Sequence, residues 1–495
     1  MVRAGYSRAS ATFFVAAAGT MAPAAAASGC SDDAPTLTPP VLESARLTVQ
    51  GDRLLDALGR EVLLRGVNAG GRSKLPPFFP FPFAESGLPD QAQEPEFGVA
   101  LERYVAPLQA WGLDVVRLPF IWEALEPTRG NYDPQYLDRY ASMAQALSER
   151  GIRVIVDFHQ DVFARPLCGD GFPPWALPDP SMTPHTSCDD WYWGYFGDPD
   201  VDAAFDRFWA NGDGLQDAFA AMWRHVAERL WQVPAVVAFE IMNEPYPGSA
   251  DPAGWARDVL PPFAERMAQA IRERAPGALV VVEPSGRDAT DGRTDLPRPV
   301  ADGAVFSMHY YAASVFLLGP DAATYDTLAD LRPWGELRDE WALPLLVGEL
   351  GCKTGSAGGG RYLAANFDAL DAYRLHGTAW EYSTTHDDWN HEALSVTRYG
   401  GEETPSVAAL VRAYPRAVAG RLRSFRFDAA SLRGTLELTA APGISEIVAP
   451  ARLYPAGVEA ALAGVAGRTS WDAPSQLLLV ETSEPGEAVV TFGPR

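Results

Sequence analysis

The sequence predicts an α/β fold, a (β/α)8 TIM barrel with a small C-terminal antiparallel β-sandwich domain. Three observations lead to this prediction. Eight short apolar segments occur, and helix-length amphipathic segments separate most of them, the pattern of a barrel of parallel strands. Two of the apolar segments deliver a glutamate at their end, Glu244 beside proline and Glu349 beside glycine. After Pro415 the helix-length patterns stop, and short alternating runs replace them.

Residues 44–418 hold the predicted barrel. Strand four runs from Val236 and must stop at Asn243-Glu244-Pro245, because proline cannot donate a hydrogen bond to a strand ladder. A hairpin that turns at Gly51-Asp52 precedes the strands and is expected to plug the bottom of the barrel. The predicted strands are 61–68, 114–119, 152–158, 236–244, 278–283, 304–309, 344–351 and 377–382. The predicted helices are 98–110, 134–150, 213–231, 255–274, 324–341 and 361–375.

Residues 419–495 are predicted to form the β-sandwich. Runs of alternating apolar and polar residues occur there, separated by Gly, Pro and Ser. No row of aromatic residues marks this segment as a sugar-binding module. The runs are 424–427, 435–439, 476–482 and 488–492.

The charge of the chain excludes some classes of partner. Its formal net charge is −24, from 64 acidic and 40 basic side chains. Such an acidic protein is not expected to bind nucleic acid or to dock on anionic lipid through charge alone. Its 14 Trp, 17 Tyr and 23 Phe residues offer aromatic planes on which the apolar faces of sugar rings stack. These planes favour a sugar-containing substrate, and the protein is expected to be a monomer.

The first 30 residues are predicted to be a signal peptide, followed by a Pro- and Thr-rich linker over 31–43. Arg3 and Arg8 give a basic start, and the Ala-rich segment after them is too short for a stable membrane span. Small residues before Cys30 resemble a bacterial lipobox, which would make Cys30 the lipidated first residue of the mature chain. Cleavage after Ala27 by an ordinary signal peptidase is the alternative. In both cases the protein is exported, either secreted or lipid-anchored to the cell envelope.

The three other cysteines indicate at most one disulfide. In an exported protein, Cys168 and Cys188 could close a loop of about twenty residues, worth about 3 kcal/mol in the chain-entropy model. Two free thiols are the alternative. Cys352 is most simply a packing residue. The Cys and His spacings give no zinc pattern, and neither a metal nor an organic cofactor is expected.

The two strand-end glutamates indicate hydrolysis of a glycosidic bond. The C-terminal ends of barrel strands carry the chemistry of this fold, and strands four and seven each place one carboxyl group there. A retaining glycosidase needs one carboxyl group as acid and then base, and a second one as nucleophile. Glu244 would be the acid and base, and Glu349 the nucleophile. Arg117, at the end of strand two, would hold Glu349 charged and oriented; Glu123, Glu126 and Glu283 are assigned to structure.

One set of motifs is spread over roughly residues 47–415, at 64–68, 116–119, Trp122, Glu126-Pro127, 243–245, 309–311, 348–349 and Trp380. Together these motifs resemble glycoside hydrolase family 5, within clan A. A second set of segments lies mainly after strands one, three, four and eight, at 74–78, 159–163, 205–209, 243–248 and 388–392. This set gives a narrower resemblance, to the endoglycoceramidases of that family.

The resemblance implies roles for further residues. Asn243 is similar to the family residue that hydrogen-bonds the sugar 2-hydroxyl. Tyr311 matches the tyrosine that hydrogen-bonds the nucleophile, with His309 beside it, and Trp380 matches the stacking floor for the sugar. The positions that contact hydroxyls of the sugar next to the cleaved bond are matched by Lys74, His159 and Asp161. His309 as a buried structural histidine and Lys74 as a solvated loop lysine are the alternatives.

Two apolar loops are expected at the catalytic face. Residues 75–83 carry four phenylalanines between prolines and are predicted to form an exposed patch, with a second apolar rim at 315–320. Both would hold the hydrocarbon tails of ceramide and contact a membrane or micelle transiently, unless the loops fold over the barrel as lids. The resemblance and the loops together predict a retaining endoglycosylceramidase. An endo-β-glucanase, a β-glucosidase acting on another hydrophobic aglycone, and a glycolipid-binding protein without activity are the alternatives.

Overall fold

The computed structural model of the chain describes residues 37–42, 44–286, 288, 292–385 and 392–495. The predicted signal peptide with Cys30, most of the linker, and the predicted motif at 388–391 lie outside these residues. In the described ranges, no helix combines the length and apolar character that crossing a bilayer requires.

The strands and helices are numbered in chain order. Strands β1 to β19 are Thr48–Gln50, Arg53–Leu55, Glu61–Val62, Arg65–Asn68, Val115–Phe120, Arg153–Phe158, Val236–Glu240, Leu279–Val282, Ala304–Tyr310, Leu345–Leu350, His376–Ala379, Tyr414–Val418, Gly420–Asp428, Arg433–Ala440, Gly443–Val448, Val458–Ala463, Gly467–Asp472, Leu477–Thr482 and Gly486–Pro494. Helices α1 to α11 are Phe97–Ala110, Trp122–Leu125, Pro134–Ser148, Pro199–Trp209, Leu215–Leu230, Pro252–Asp258, Leu260–Arg272, Ala313–Leu318, Thr327–Trp341, Ala357–Tyr373 and Val407–Leu410. A 3₁₀ segment, Cys188–Phe196, also matters for the site.

Strands β4 to β11 form the predicted closed barrel. Their order around the ring is β10-β11-β4-β5-β6-β7-β8-β9, and every neighbouring pair is parallel. All residues of β5, β6 and β7 are buried. Strands covered on both faces read as continuous apolar runs, which is why the sequence reveals them. The predicted fold class is confirmed.

Aspartate–proline pairs set the starts of several barrel helices. The side chain of Asp133 accepts hydrogen bonds from the Gln135 and Tyr136 amides, and Asp198 and Asp251 cap their helices in the same way. In each case proline follows as the first helical residue, where its missing N–H costs nothing. The helix predicted over 255–274 is two helices, α6 and α7, because Pro261 and Pro262 begin a new helix and cannot continue the old one.

The C-terminal domain is antiparallel, as predicted, and has two sheets. One sheet has the order β13-β14-β19-β16, and the other has the order β1-β2-β3-β12-β15-β18-β17. Burial alternates along β14, so one face packs into a separate core that includes Leu436, Leu438 and Val490. The domain limits of 44–418 and 419–495 stay a prediction, since β12 ends at Val418 and pairs with both β3 and β15.

The N-terminal hairpin lies at the bottom of the barrel. Leu47 and Leu54 pack there with barrel residues such as Val115, Ile155 and Val237. The predicted strand 61–68 divides into two: β3 pairs with β2 and β12 in the sandwich sheet, and only β4 belongs to the barrel. The hairpin therefore plugs the barrel and also extends the C-terminal sheet, which closes the side opposite the strand ends that carry Glu244 and Glu349.

Candidate active site

Glu244 and Glu349 meet at the C-terminal ends of the barrel strands. Glu349 lies in β10, and Glu244 follows β7 by four residues. One carboxylate oxygen of each residue lies within 4.8 Å of the other, with a nitrogen of His309 equally near. Glu349 is 6% exposed, and the Glu244 side chain is 21% exposed. The two carboxyl groups thus share one cleft, in which Glu244 is the more accessible.

Two donors hold Glu349. Arg117 donates from Nη1 to Oε1 at 2.8 Å, and the Tyr311 hydroxyl donates to Oε2 at 2.8 Å. Burial and the neighbouring charge of Glu349 raise the pKa of Tyr311 well above its ordinary value, so this hydroxyl keeps its proton. Both donors point at the carboxylate and fix its orientation.

Arg117 is a buried hub that several carboxylates surround. It has no exposed surface, and it donates to Glu240 from Nε at 2.7 Å and to Asn243 from Nη2 at 2.8 Å. Asp157 Oδ2 lies 3.2 Å from Nη2. Burial lowers the pKa of Arg117, but the charges of Asp157, Glu240 and Glu349 outweigh burial and raise it well above the ordinary value. A fixed positive charge therefore stands behind Glu349 and orients the Asn243 amide.

Glu244 is held through its main chain and its side chain. Its backbone lies in the left-handed region at φ 40°, which non-glycine residues rarely adopt. The Glu244 amide donates to Glu283 Oε2 at 2.8 Å, and His309 Nδ1 lies 2.6 Å from Glu244 Oε1. A Cβ at Gly286 would lie 2.7 Å from Glu244 Oε2, so only glycine leaves room for the carboxylate.

A second polar cluster adjoins the glutamate pair. Lys74 Nζ lies 2.5 Å from Asp161 Oδ2 and 4.6 Å from the centre of the Trp380 ring. The His159 ring stacks on Trp380 with centroids 5.1 Å apart, and His159 Nδ1 lies 2.8 Å from Asp157 Oδ2. Lys74, His159, Asp161 and Trp380 are all buried. This cluster places charged side chains, which can hydrogen-bond sugar hydroxyls, beside an aromatic ring, on which a sugar can stack.

The Lys74–Asp161 pair makes the stability of the protein depend on pH. Burial alone would raise the pKa of Asp161, but the charges of Lys74 and His159 have the larger effect and lower it to about 2. An unfolded aspartate has a pKa of about 3.9, so the pair stabilises the fold above that pH and loses this contribution as the pH falls toward 2, by about 2–3 kcal/mol. We expect Asp161→Asn to remove this part of the acid destabilisation. Urea unfolding between neutral and acidic pH measures it; the exposed Asp138→Asn should keep the wild-type slope, and an unchanged slope in Asp161→Asn would contradict the assignment.

The structure brings the ten predicted catalytic and binding residues to one face of the barrel. Their roles are proposals. Cys168 and Cys188 form a disulfide with Cα atoms 5.1 Å apart, while the described Cys352 is a buried free thiol. The disulfide fixes the start of the 3₁₀ segment Cys188–Phe196 to the loop after β6.

Sequence reasoning missed three buried acids of this site: Asp157, Glu240 and Glu283. Each has at most 4% of its surface exposed and lies within or directly after a barrel strand. Glu283 was assigned to structure, yet its carboxylate touches the Glu244 amide. The available signal was an acidic residue inside or directly after a largely apolar strand, where an unpaired charge would be costly.

The prediction of an exposed phenylalanine loop at 75–83 is wrong. Phe79, Phe81 and Phe83 are at most 2% exposed. Each lies with its ring centre 5.2–5.4 Å from that of Phe97 at the start of α1. Proline kept these residues out of a sheet, but it did not prevent them from packing on neighbouring helices. This loop therefore belongs to the core of the barrel domain.

An exposed apolar surface does occur at the second predicted loop. Phe316, Leu317 and Leu318 in α8 are 59%, 77% and 64% exposed, and Trp193 and Phe196 of the 3₁₀ segment are 50% and 62% exposed. We call these five residues the outer apolar patch. A ring contact of 5.5 Å between Phe316 and Tyr192, the neighbour of Trp193, joins its two parts.

The carboxylates of the site already have protein cations beside them. Three groups of described residues have possible ligand atoms within 4.8 Å of one another. They are His159, Asp161 and Asp170; Glu240, Glu283 and His309; and Glu244, His309 and Glu349. Lys74 contacts the first group, and Arg117 contacts the two others. These sets could present ligands to a metal ion, but in this structure Lys74 and Arg117 supply the positive charge.

Comparisons with known proteins agree with this architecture. The model of the family described as "Cellulase (glycosyl hydrolase family 5)" matches residues 83–386, and that of the "Glycoside hydrolase family 5 C-terminal domain" matches residues 412–491. An endoglycoceramidase of Hydra vulgaris is 26% identical over 440 residues, which cover 81% of this chain and 77% of that protein. Endoglycoceramidase I of Rhodococcus hoagii (strain 103S) is 32% identical over 218 residues, 42% of this chain and 39% of that protein.

A solved structure is similar over most of the chain. Endo-glycoceramidase II from Rhodococcus sp., in complex with ganglioside GM3, superimposes with a TM-score of 0.74 at 26% identity. The match covers 90% of this chain and 100% of that structure. With a closed parallel barrel, two glutamates at the ends of strands β7 and β10, and both domains matched, the chain is a glycoside hydrolase and belongs to glycoside hydrolase family 5.

Proposed function

We propose that this enzyme is a retaining endo-β-glycosidase that hydrolyses the bond between the glycan and the ceramide of glycosphingolipids. One observation carries the proposal: a row of aromatic side chains connects the polar cluster around Lys74 and Trp380 to the outer apolar patch. Lys74 Nζ lies 5.6 Å from the Trp191 ring centre, Trp191 contacts Tyr192 at 6.3 Å, and Tyr192 contacts Phe316. A substrate with a sugar at one end and a lipid at the other fits such a surface. The relatives named endoglycoceramidase support the same substrate class.

The separation of the two carboxyl groups supports the retaining route. Retaining glycosidases keep them about 5–5.5 Å apart, whereas inverting enzymes need about 6.5–9.5 Å to admit a water molecule between carboxylate and sugar. One carboxylate oxygen of Glu244 and one of Glu349 lie within 4.8 Å of each other. This proximity supports direct attack of Glu349 on the sugar.

In the first step, a Glu349 oxygen attacks the anomeric carbon and forms the glycosyl–enzyme bond. The bond from that carbon to the ceramide oxygen breaks, and Glu244 gives its proton to this oxygen. In the second step, Glu244 takes a proton from water, the resulting hydroxide attacks the anomeric carbon, and Glu349 leaves as a carboxylate. The configuration at this carbon is inverted twice and so retained.

The residues around Glu244 and Glu349 orient the reacting groups. Arg117 and Tyr311 aim the Glu349 carboxylate for attack, and Arg117 also fixes the Asn243 amide for the sugar 2-hydroxyl. Trp380 is the stacking face of the sugar, with Lys74, His159 and Asp161 as its hydroxyl partners. Contacts that strengthen as the oxocarbenium-like state develops lower the barrier rather than only the KM.

We propose that the outer apolar patch contacts the lipid surface that holds the substrate. Replacing Leu317, 77% exposed, by glutamate would add a charge where apolar contact is needed. We expect Leu317→Glu to lower the rate on lactosylceramide in vesicles by about tenfold, equivalent to about 1.4 kcal/mol of apolar contact. The rate on a water-soluble aryl β-lactoside should stay within about twofold of wild type, because glycosidic chemistry is unchanged.

The matched control for that experiment is Leu58→Glu. Leu58 is 54% exposed, but it lies in the turn between β2 and β3 at the opposite end of the barrel. This variant should keep both rates. Equal loss by the two variants on vesicles would show that added negative charge, and not the patch, is responsible.

Substrate choice separates this proposal from its alternatives. We expect faster hydrolysis of lactosylceramide than of carboxymethylcellulose or steryl β-glucoside, all measured as released reducing sugar. Activity on the polymer alone would indicate an endo-β-glucanase, and activity on the steryl glucoside alone would indicate a β-glucosidase for another apolar aglycone. Activity on none of the three would favour a glycolipid-binding protein.

We also propose that the protein is exported. The Cys168–Cys188 disulfide supports this, since such bonds persist in oxidising compartments. Lipid attachment at Cys30 and plain secretion differ in the first residue of the mature chain. Mass spectrometry of the N-terminal peptide distinguishes a diacylglycerol-modified Cys30 from an unmodified start after Ala27.

A further inference from the structure

Glu283 links the main chain and the side chain of Glu244 into one closed set of contacts. Its Oε2 accepts the Glu244 amide proton at 2.8 Å, and its Oε1 lies 2.8 Å from His309 Nε2. The other nitrogen of the same ring, Nδ1, lies 2.6 Å from Glu244 Oε1. Glu283 therefore contacts the Glu244 backbone directly and the Glu244 carboxylate through His309.

The Glu283 carboxylate is itself fixed. Its side chain is only 2% exposed. The Ser307 hydroxyl donates to Oε1 at 3.2 Å, and Arg117 Nη2 lies 3.7 Å from the same oxygen. The set of contacts that holds Glu244 is therefore joined to the arginine that holds Glu349.

From this geometry we infer that Glu283 is a positioning residue that sets both the conformation of Glu244 and the charge of His309 beside it. The inference rests on the proposed role of Glu244 as acid and base. Glu283 itself does not reach the substrate and acts through Glu244 and His309. Its amide contact offsets the left-handed backbone of Glu244, and its charge places a cationic imidazole against the Glu244 carboxylate.

The charges of His309 and Glu244 explain why a buried glutamate occupies position 283. Burial lowers the pKa of His309, but Glu283 and Glu349 outweigh burial and raise it well above the ordinary value. Once Glu244 has given its proton to the leaving oxygen, it is an anion 2.6 Å from a cationic ring. An ion pair at that distance stabilises the charge that proton donation creates, as preorganised charges do in active sites.

This role predicts a dependence on the leaving group. An alkyl β-lactoside needs a proton on its leaving oxygen, whereas a dinitrophenyl β-lactoside departs as a stable anion without one. In Glu283→Gln, the amide oxygen can still accept from Glu244, but the larger of the two charges that favour a cationic His309 is lost. We expect kcat/KM for octyl β-lactoside to fall about 30- to 100-fold, and that for dinitrophenyl β-lactoside to fall less than about threefold.

The test compares these two kcat/KM values in five proteins: wild type, Glu283→Gln, Glu244→Gln, the double variant, and Glu446→Gln as the matched control. Glu446 is also buried and paired with arginines, but it lies in β15 of the sandwich. Glu446→Gln should keep the wild-type ratio of the two rates. In the Glu244→Gln background, adding Glu283→Gln should change either rate less than about twofold, because the residue through which it acts is already removed.

Each outcome decides the inference. A selective loss on the alkyl substrate that disappears in the double variant supports it; equal losses on both substrates, or no loss, overturn it. If Glu283→Gln does not fold, Glu283→Asp is measured instead: it keeps the charge but withdraws it by one methylene, and the same selective loss is expected. Wild-type hydrolysis of both lactosides without hydrolysis of lactosylceramide would contradict the proposed substrate and leave this test intact, whereas wild-type hydrolysis of none of the three would contradict both.

Discussion

Replacing Glu349 by glutamine is expected to lower kcat/KM for lactosylceramide by at least about ten-thousand-fold. Glutamine has nearly the same shape: its amide oxygen can accept from Arg117, and its amide nitrogen can donate to the Tyr311 oxygen, so the site should keep its geometry. It cannot, however, attack the anomeric carbon, and the glycosyl–enzyme bond does not form. Initial rates from released lactose, with the substrate in detergent, measure the loss.

Folding and binding are the controls for this variant. Glu349→Gln should bind lactosylceramide within about tenfold of the wild-type affinity, because most sugar contacts remain. Glu446→Gln makes the same chemical change far from the site and should retain activity. Activity of Glu349→Gln within about a hundredfold of wild type would show that another group is the nucleophile.

Replacing Arg117 by methionine is expected to be the most damaging single change to stability in the site. Arg117 has no exposed surface and lies within 4 Å of four carboxylates, those of Asp157, Glu240, Glu283 and Glu349. Methionine fills much of the volume but leaves these buried charges without a counterion, which costs about 3–5 kcal/mol in comparable cases. Urea unfolding at neutral pH measures the loss.

A pH series and a surface variant distinguish this mechanism from a packing defect. Lowering the pH to about 5 protonates uncompensated buried carboxyls, so the deficit of Arg117→Met should shrink there; a packing defect would not change with pH. Arg398, half-exposed and paired with Glu402, serves as control, and Arg398→Met should cost less than about 1 kcal/mol. A loss below about 1 kcal/mol in Arg117→Met would contradict the role of Arg117 as the central counterion.

The fold was predictable because parallel barrel strands have a local signature. Strand β7 is wholly buried on both faces, and the run of Val, Ala and Phe that burial requires ends at Pro245, which cannot extend a ladder. The same logic places Glu244 and Glu349 at one rim from the sequence alone. Once the strand ends are located, the barrel topology brings their side chains together.

Long-range pairing was not predictable in the same way. Strand β3 has only two residues, and nothing in Glu61-Val62 shows that it pairs with β12, some 350 residues later in the chain. The prediction that the phenylalanine loop is exposed was wrong for a related reason. Proline and phenylalanine in 75–83 exclude a strand, but whether the rings face water or Phe97 depends on helices elsewhere in the chain.

The acids Glu240 and Glu283 show which residues of the site cannot be recognised from the sequence. From the sequence, each is one more glutamate near a strand end, like Glu126, which pairs with Trp122 away from the pair of glutamates. What distinguishes Glu283 is its contact with the Glu244 amide and with His309, and a contact between three strands has no local signature. Side chains that act through a neighbour are therefore harder to recognise from sequence than those that carry a strand-end motif.

The most direct test of the central claim is the mass of the products formed from lactosylceramide in water labelled with heavy oxygen. We predict lactose that carries the label at its reducing end and ceramide that carries none, since attack occurs at the anomeric carbon and the ceramide keeps its own oxygen. Free glucose or galactose with little lactose would contradict release of an intact glycan. Label in the ceramide would contradict attack at the sugar, and with it the proposed work of Glu244 and Glu349.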